Sequence, residues 1–453
     1  MNDTICAIAT SQGVGAISII RVSGIDAIEI VNKIFKGKDL SKVNSHTINY
    51  GYIYDKDIII DEVLVSVMRA PKTFTTENTV EINTHGGISP TNKVLELLLI
   101  NGCRLAEPGE FTKRAFLNGR IDLLEAEAVM DMIDSKTEIQ RKMAINQING
   151  KTSNLINKLR DDMVQIISNI NVNIDYPEYD DVEIMTDEIL VPKIKKIKNK
   201  IEKIIKESQN GKIIKEGINT SIIGRPNVGK SSLLNALLEE DKAIVTDIAG
   251  TTRDIVEGQI KINGIVLNII DTAGIRDTED KIEAIGVEKS KKIMESSDLV
   301  LLMLNNNEEI SKENIELLKQ AKNKKYLILI NKIDLAKKLD IEKLNIDKEK
   351  IIELSVINNR GIDELKEKII DMFNISELET KDPTYLSNSR CISILKKCLN
   401  SIKEVEKGLE NDMPIDMIEL DIKNIWEQLG TINGTTYEEE LLDEMFKRFC
   451  LGK

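Results

Sequence analysis

Short apolar runs separated by glycines and prolines fill the first part of the chain. Residues 16–22, 58–67 and 79–82 have the length and the β-branched composition of strands. Runs of this kind between turn residues are typical of a sheet. The pattern predicts a small α+β domain over residues 1–118.

From residue 119 the apolar positions recur at steps of three and four residues. This spacing places apolar side chains on one face of an α-helix. We therefore predict amphipathic helices over residues 119–215, with a break near Tyr176 and Pro177. The periodic positions are Leu155, Leu159, Met163, Ile166, Ile170, Leu190, Ile194, Ile197, Ile201 and Ile204.

Strand-like and helix-like stretches alternate over residues 216–375. Such alternation is typical of a parallel sheet covered by helices, so we predict an α/β domain there. The strand-like runs are residues 220–223, 266–270, 299–304, 327–330 and 351–354.

Helical spacing returns over residues 376–453 and predicts further amphipathic helices. We interpret the two helical stretches as one α-helical domain interrupted by the inserted α/β domain. Two separate helical domains remain an alternative, because spacing does not show which helices touch. The periodic positions are Ile394, Leu395, Cys398, Ile418, Ile422, Ile425, Trp426, Leu441, Leu442, Met445, Phe446 and Phe449.

Length and charge support this multidomain fold and narrow the classes of function. A chain of 453 residues is longer than one hydrophobic core usually supports. A net charge of −13 argues against coating nucleic acid through a general basic field, although a local basic groove stays possible. Five scattered cysteines fit neither a disulfide framework nor a zinc site, and no apolar run reaches the length of a membrane span. We expect a cytoplasmic protein without membrane attachment.

Residues 224–231 have the composition of a phosphate-binding loop, Gly-Arg-Pro-Asn-Val-Gly-Lys-Ser. The loop follows a predicted strand and opens a predicted helix, so its backbone amides can surround phosphate oxygens. Lys230 is expected to reach the β- and γ-phosphates, and the Ser231 hydroxyl to bind magnesium. The other loop residues expected to contact the nucleotide are Asn227, Val228, Gly229 and Ser232.

Two further segments, each after a predicted strand, complete a guanine-nucleotide site. Asp271-Thr272-Ala273-Gly274 supplies a carboxylate near magnesium and a glycine amide near the γ-phosphate. Asn331-Lys332-Ile333-Asp334 supplies a carboxylate that accepts both donors of guanine, a donor pair that adenine lacks. Ser355 is expected to close the base pocket. The three segments in this order predict a Ras-like P-loop GTPase domain.

The hydrolytic apparatus departs from that of many small GTPases, in which a glutamine after the Asp-x-x-Gly segment orients water. Ile275 occupies that position and can neither accept nor donate a hydrogen bond through its side chain. Four nearby acidic residues are candidates to orient the water, and spacing alone does not choose among them. They are Asp277, Glu279, Asp280 and Glu283.

A loop before the predicted strand at residues 255–262 offers a way to offset the developing charge. Thr252 can cap magnesium, and backbone carbonyls of this loop with the Asn227 side chain can hold a monovalent cation near the phosphates. A solvent-facing Asn227 is the alternative. The loop residues expected near GTP are Thr246, Asp247, Ile248, Ala249, Gly250, Thr251 and Thr252.

With these residues in place, the whole chain resembles the tRNA-modification GTPase family usually called MnmE or TrmE. Besides the GTPase segments, the resemblance rests on five motifs. They are Asp3-Thr-Ile, Arg21-Val-Ser-Gly24, Thr84-His85-Gly-Gly87, Pro108-Gly-Glu-Phe-Thr-Lys-Arg-Ala-Phe-Leu-Asn118 and Phe449-Cys450-Leu451-Gly452-Lys453.

The resemblance implies a homodimer joined by the N-terminal domains, and a complex with a flavoprotein partner, MnmG or GidA, that carries FAD and uses NADH. Together they are expected to install an aminomethyl or carboxymethylaminomethyl group at carbon 5 of the tRNA wobble uridine. A 5-formyl- or 5,10-methylenetetrahydrofolate bound by the N-terminal domain is the implied one-carbon source. GTP hydrolysis would drive the required domain movement.

The resemblance also assigns roles to single residues. Glu283 matches the residue that positions the hydrolytic water. The implied folate contacts are Arg21, Glu81, Arg120 and Lys453, and the implied potassium ligands are Asn227, Thr246, Ile248 and Thr251.

Three positions depart from the family pattern. Arg120 stands where lysine is common, which keeps the charge and changes its geometry. Val356 follows Ser355 where alanine is usual, a change expected to leave the Ser355 amide available. Cys391 replaces a common histidine, and nothing in the sequence explains that change.

Cys450 and the overall function each keep alternatives. Cys450 is either an apolar residue of a final helix, as its spacing from Phe446 and Phe449 indicates, or a thiol at the modification site, as the family tail indicates. The rival functions are an Era-like ribosome-assembly GTPase and a non-catalytic nucleotide switch. An acidic chain without a recognisable RNA-binding motif disfavours the first, and Glu283 with Thr251-Thr252 disfavours the second.

Overall fold

A computed structural model describes residues 3–175, 187–240, 256–270, 293–344, 346–376, 386–437 and 439–452. The chain divides into two compact units. The first comprises Met1–Met130, Gln147–Asn199 and Ser393–Lys453, and the second comprises Asp131–Asn146 and Lys200–Ile392.

The first unit contains a largely antiparallel sheet in the described part of the chain. Its strands are β1 (Ile5–Ile8), β2 (Ile17–Ser23), β3 (Phe35–Lys36), β4 (Thr47–Asp55), β5 (Ile58–Met68), β6 (Thr79–His85) and β7 (Arg104–Leu105). They pair in the order β3-β4-β5-β6-β2-β1-β7, and β1 and β7 are parallel. The three runs that the sequence predicts as strands correspond to β2, β5 and β6.

One face of this sheet is buried under helices α1 (Ala27–Ile34) and α2 (Ile88–Ile100). Because successive strand residues point to opposite faces, Ile20 and Ile82 lie in this core while their neighbours Arg21 and Glu81 lie on the other face. A third helix, α3 (Glu110–Leu117), follows β7. The predicted α+β architecture is confirmed.

The predicted amphipathic helices follow as α4 (Leu123–Asp134), α5 (Glu138–Ile148), α6 (Lys151–Asp175) and α7 (Asp187–Glu216). Apolar residues at the predicted spacing are buried along α6 and α7, among them Leu159, Met163, Ile194 and Ile197. Tyr176 and Pro177, where a break is predicted, lie outside the described residues.

The second unit contains the predicted α/β sheet. Its strands are β8 (Ile218–Ile223), β9 (Val256–Ile262), β10 (Ile265–Ile270), β11 (Leu299–Asn305), β12 (Lys325–Asn331) and β13 (Ile351–Glu353). They pair in the order β13-β12-β11-β8-β10-β9, and within the described sheet the β9–β10 pair alone is antiparallel. Every residue of β10 and β11 is buried, as expected for strands covered on both faces.

Three helices follow strands of this sheet in the chain: α8 (Lys230–Glu240), α9 (Lys312–Ala321) and α10 (Ile362–Met372). The same region contains 3-10 turns at Ile341–Leu344, Lys348–Lys350 and Val356–Asn358. The chain then forms α11 (Ser389–Glu410), α12 (Ile415–Asn433) and α13 (Glu439–Phe446). In the first unit α12 packs against α6, where the Arg160 guanidinium lies 4.7 Å from the centre of the Trp426 ring. No helix of the described residues is long and apolar enough to cross a membrane.

Candidate functional site

The phosphate loop follows a central strand of the second unit. Strand β8 lies between β11 and β10, and its carboxyl end leads through residues 224–229 into α8, which begins at Lys230. The carboxyl ends of parallel strands meet at one edge of a sheet, where ligands bind in α/β folds. The loops after β8 and β12 therefore lie at the same edge of the sheet, with β11 between the two strands.

Two glycines of the loop occupy positions that no other residue can fill. Gly224 and Gly229 have φ angles of +150° and +103°. A Cβ on Gly224 would lie 2.5 Å from the carbonyl oxygen of Met303, and a Cβ on Gly229 would overlap the Asn331 amide nitrogen. The loop backbone is thus packed directly against β11 and the residue that ends β12.

Residues of the guanine-reading segment hold the phosphate loop. Nδ2 of Asn331 donates to the Val228 carbonyl at 2.8 Å, and Nζ of Lys332 donates to the Asn227 carbonyl at 2.8 Å. The sequence places Asn331 and Lys332 in the nucleotide-binding segment that ends at Asp334 and gives no sign of these contacts. These two hydrogen bonds connect the phosphate loop to the segment that begins at Asn331.

Lys230 lies over the loop as a phosphate-binding lysine should. Its Nζ donates to the carbonyls of Gly224 at 2.7 Å and Arg225 at 2.9 Å. Burial lowers the pKa of Lys230, and the nearby carboxylate of Glu313 partly opposes the shift. Partial burial strengthens the interaction of such an ammonium with an anion, because the local dielectric constant is lower than that of water.

Asp334 and Ser355 meet at the other end of the site. Oγ of Ser355, a residue that is 2% exposed, donates a 2.6 Å hydrogen bond to Oδ1 of Asp334. The expectation that the Ser355 amide is available is wrong, because it donates to the carbonyl of Arg360 at 3.1 Å. The Val356 amide donates to Oδ1 of Asn331 at 3.3 Å.

Many predicted nucleotide contacts lie outside the described residues. The structure therefore describes the phosphate loop and residues 331–334 and 355, whose nucleotide contacts stay predictions, as do the contacts of the following positions, which it does not describe. They are Thr246, Asp247, Ile248, Ala249, Gly250, Thr251, Thr252, Asp271, Thr272, Ala273, Gly274 and Glu283.

A second cluster of predicted site residues lies in the first unit. Nε of Arg21 donates to Oε1 of Glu81 at 2.8 Å, and Nη1 of Arg21 donates to the carbonyl of Gly452 at 3.2 Å. The Arg21 guanidinium carbon lies 5.6 Å from the centre of the Phe111 ring. Lys453 follows Gly452 directly but lies outside the described residues.

Arg120 contacts Phe74, which lies beside Phe111. Its Nη1 donates to the Phe74 carbonyl at 3.0 Å, and its guanidinium carbon lies 4.9 Å from the centre of the Phe74 ring. Phe74 packs against Phe111 and its apolar neighbours. Arg21 and Arg120 thus stack on the rings of two adjacent phenylalanines, and nothing in the sequence indicates a role for either ring.

Cys450 is exposed, and α13 ends four positions earlier at Phe446. The expectation from helical spacing that Cys450 packs in the core is therefore wrong.

His85 pairs with a carboxylate on the first sheet: its Nδ1 lies 2.6 Å from Oδ1 of Asp61, and its backbone amide donates to Oδ2 at 2.8 Å. Among the residues that the structure describes, no three His, Cys, Asp or Glu side chains are grouped as a metal site.

The phosphate loop at the carboxyl edge of a parallel sheet and the Asn-Lys-x-Asp segment bound to it define a P-loop GTPase. Over its whole length the chain is 53% identical to curated proteins described as "tRNA modification GTPase MnmE" from Bacillus cytotoxicus, Bacillus thuringiensis and Bacillus anthracis, covering 99% of each. Residues 4–120 match the family "GTP-binding protein TrmE N-terminus" and residues 123–450 match the "MnmE helical domain". The chain belongs to the tRNA modification GTPase MnmE family.

Solved GTPase structures match less of the chain. The G domain of the T. maritima FeoB iron transporter is 30% identical over 34% of this chain and 97% of that one, with a TM-score of 0.25. Membership of the MnmE family, rather than this match, decides against the Era-like alternative.

Proposed function

We propose that this GTPase depends on potassium and, with a flavoprotein partner of the MnmG/GidA kind, modifies tRNA. The product is an aminomethyl or carboxymethylaminomethyl group at carbon 5 of the wobble uridine. A 5-formyl- or 5,10-methylenetetrahydrofolate supplies the carbon unit, and the partner carries FAD and uses NADH. The curated relatives are tRNA modification GTPases by name, which supports tRNA as the substrate.

The observation that carries the proposal is the meeting of Arg21, Glu81 and the chain end. The two side chains are about a fifth exposed (20% and 24%), and both keep hydrogen-bonding capacity for a ligand. A carboxylate can accept the donors of a pterin ring, and a guanidinium can bind a glutamyl carboxylate. Arg21 and Glu81 therefore support a folate site, which Arg120 and Lys453 complete in this proposal.

The phosphate loop fits the proposed cations. Asn227 is exposed and has a φ angle of 62°. Its carbonyl accepts a hydrogen bond from Lys332, and its side-chain oxygen is the potassium ligand in this proposal. Thr246, Ile248 and Thr251 would complete the potassium site, and Ser231 with Thr252 would hold magnesium. A cation there offsets charge on the phosphates, as an arginine finger does elsewhere.

In this proposal Lys230 contacts the β- and γ-phosphates, and Glu283 orients the attacking water in place of a glutamine. The protein forms a homodimer through domain 1–118, and the dimer assembles with the partner into a heterotetramer or larger complex. A helical domain, residues 119–215 and 376–453, carries the inserted GTPase domain, residues 216–375. GTP hydrolysis moves these domains.

The test is reconstitution with the flavoprotein partner, GTP, the folate and tRNA, followed by mass spectrometry of the nucleosides. Wild type should yield modified wobble uridine, while Arg21→Met and Glu81→Gln should lose it and keep GTP hydrolysis. Lys93→Met removes an ion pair with Asp55 in the same unit and is the matched control. If the Arg21→Met and Glu81→Gln variants modify tRNA at the wild-type rate, the folate site is removed from the proposal.

A further inference from the structure

Two hydrogen bonds in series end at Asp334. Nδ2 of Asn358 donates to Oγ of Ser355 at 3.1 Å, and Oγ of Ser355 donates to Oδ1 of Asp334 at 2.6 Å. Ser355 is buried and Asn358 is exposed. The chain of hydrogen bonds therefore runs from the surface to the carboxylate that reads guanine in the proposed nucleotide site.

The direction of these bonds follows from the groups involved. A serine hydroxyl has one proton, an ionised carboxylate can only accept, and an amide nitrogen can only donate. Because Ser355 accepts from Asn358, its proton is directed to Asp334. One lone pair of Oδ1 is then used, and rotation of the carboxylate is restricted.

Guanine makes this orientation important. Its ring N–H and exocyclic amine point the same way, and one carboxylate accepts both only if its two oxygens face them together. A carboxylate that rotates freely must be ordered when the base binds, which costs affinity.

The backbone, rather than the Asn358 side chain, closes the turn that carries it. Ser355 and Arg360 exchange both backbone hydrogen bonds, at 3.1 and 3.0 Å, and the Asn358 amide donates to the Ser355 carbonyl at 3.1 Å. Asn359 has a φ angle of 49° and completes the turn. Replacing the Asn358 side chain therefore removes the hydrogen bond to Ser355 and leaves the turn in place.

We propose that Asn358 is a positioning residue for guanine specificity, acting through the hydroxyl of Ser355 on Asp334. The inference rests on the proposed guanine pocket. It assigns part of the preference for guanine to a residue outside the Asn-Lys-x-Asp segment that does not touch the base.

The test compares the affinities of the full-length protein for GDP and for inosine diphosphate, which lacks the exocyclic amine. Asn358→Ala leaves Ser355 able to donate to Asp334 and should weaken GDP binding about threefold. Asn358→Asp supplies a competing acceptor for the Ser355 proton and should weaken GDP binding about tenfold. The affinity for inosine diphosphate should fall by a smaller factor, so the ratio of the GDP affinity to the inosine diphosphate affinity should fall.

Two further variants separate this mechanism from a general effect of charge. Ile357→Asp places a carboxylate on the neighbouring residue, which is 84% exposed, and should leave the ratio unchanged. In a Ser355→Ala background the hydroxyl is gone, so Asn358→Asp should lower the ratio no further. Thermal unfolding of each variant without nucleotide checks that the fold is intact.

The outcomes distinguish the inference from the pocket on which it rests. A wild-type protein that binds both nucleotides equally well overturns the guanine pocket and the inference together. A wild type that prefers GDP, with unchanged ratios in both Asn358 variants, overturns the inference alone. If Asn358→Asp lowers the affinity ratio equally in the wild-type and Ser355→Ala backgrounds, the inference alone is likewise overturned.

Discussion

Nη1 of Arg21 donates a 3.2 Å hydrogen bond to the carbonyl of Gly452, although the two residues are 431 positions apart in the chain. The tail makes a second hydrogen bond two residues earlier. The Gly109 amide donates to the Cys450 carbonyl at 3.3 Å. Gly452, which has a φ angle of +87°, lies against the end of β1 at Ile8. Residues 450–452 therefore contact the N-terminal domain at Arg21 and Gly109.

Gly452→Val should detach the tail from Arg21. A Cβ at this position would lie 2.5 Å from the carbonyl oxygen of Ile8, and a β-branched residue does not adopt this φ angle without strain. We expect folate affinity, measured by calorimetry, to fall at least tenfold, with GTP hydrolysis unchanged. Leu451→Ala is the control, because Leu451 is 45% exposed and should bind folate as wild type does. Wild-type folate affinity in Gly452→Val would contradict this role for the tail.

Arg114→Met should destabilise the first unit by about 1–3 kcal/mol, because buried Glu110 loses one of its two arginine partners and keeps only Arg104. Arg114 is 1% exposed and binds Asp3, Glu77 and Glu110. Protection factors of β2 amides against hydrogen exchange report the local free energy of unfolding. Lys42→Met, which breaks an exposed pair with Asp39 in the same unit, should change stability by less than about 1 kcal/mol.

The same network predicts a dependence on pH. Burial would raise the pKa of Glu110, but hydrogen bonds from Arg104 and Arg114 hold the pKa below its ordinary value of 4.5. Such a carboxylate stabilises the fold above pH 4.5, and the stabilisation is lost as pH falls through the folded pKa. The difference in unfolding free energy between wild type and Arg114→Met should therefore shrink below pH 4.5. A difference that is constant from pH 7 to about pH 3 would contradict this explanation.

The sequence predicts the elements of this fold well, because the strands and helices follow local patterns. Strand β11 is a continuous apolar run, and α6 repeats its buried residues at helical spacing. Contacts between distant segments were not predictable in this way. Nothing in the sequence pairs Arg21 with Gly452, or Asn331 with Val228, because these contacts depend on how strands are ordered in each sheet.

At Cys450 the local pattern predicts the wrong structure, because its spacing continues the apolar positions of α13. The helix ends at Phe446, and the tail that follows instead binds the N-terminal sheet through Gly452. Local periodicity predicted a helix that tertiary contacts of the tail replace.

The pKa of His85 should lie above 6.5, because the hydrogen bond and charge of Asp61 favour the protonated ring. Any stabilisation from this pair is fully present below pH 6.5 and is lost as pH rises through the folded pKa. NMR titration of the ring protons measures it, and the chain has only two histidines, so His46→Gln assigns the signals. Asp61→Asn should lower the pKa of His85, and an unchanged titration would rule out the pairing.

Asn331→Ala should weaken both ends of the nucleotide site. Asn331 is 4% exposed, donates to Val228 and accepts from the Val356 amide, so its loss leaves two buried backbone groups unpaired. We expect a cost of about 1–3 kcal/mol in unfolding free energy for the second unit and at least tenfold weaker GDP binding. Asn323→Ala, at an exposed turn before β12, is the control. Calorimetric GDP affinity equal to that of wild type would contradict the link between the two loops.

The most direct test of the proposed mechanism is steady-state GTP hydrolysis in potassium and in sodium at equal ionic strength, with Asn227→Ala and Glu283→Ala beside wild type. We predict that potassium accelerates turnover, that Asn227→Ala removes this acceleration, and that Glu283→Ala abolishes hydrolysis while GTP still binds. Equal turnover in the two salts, with Glu283→Ala as active as wild type, would contradict the cation-assisted mechanism.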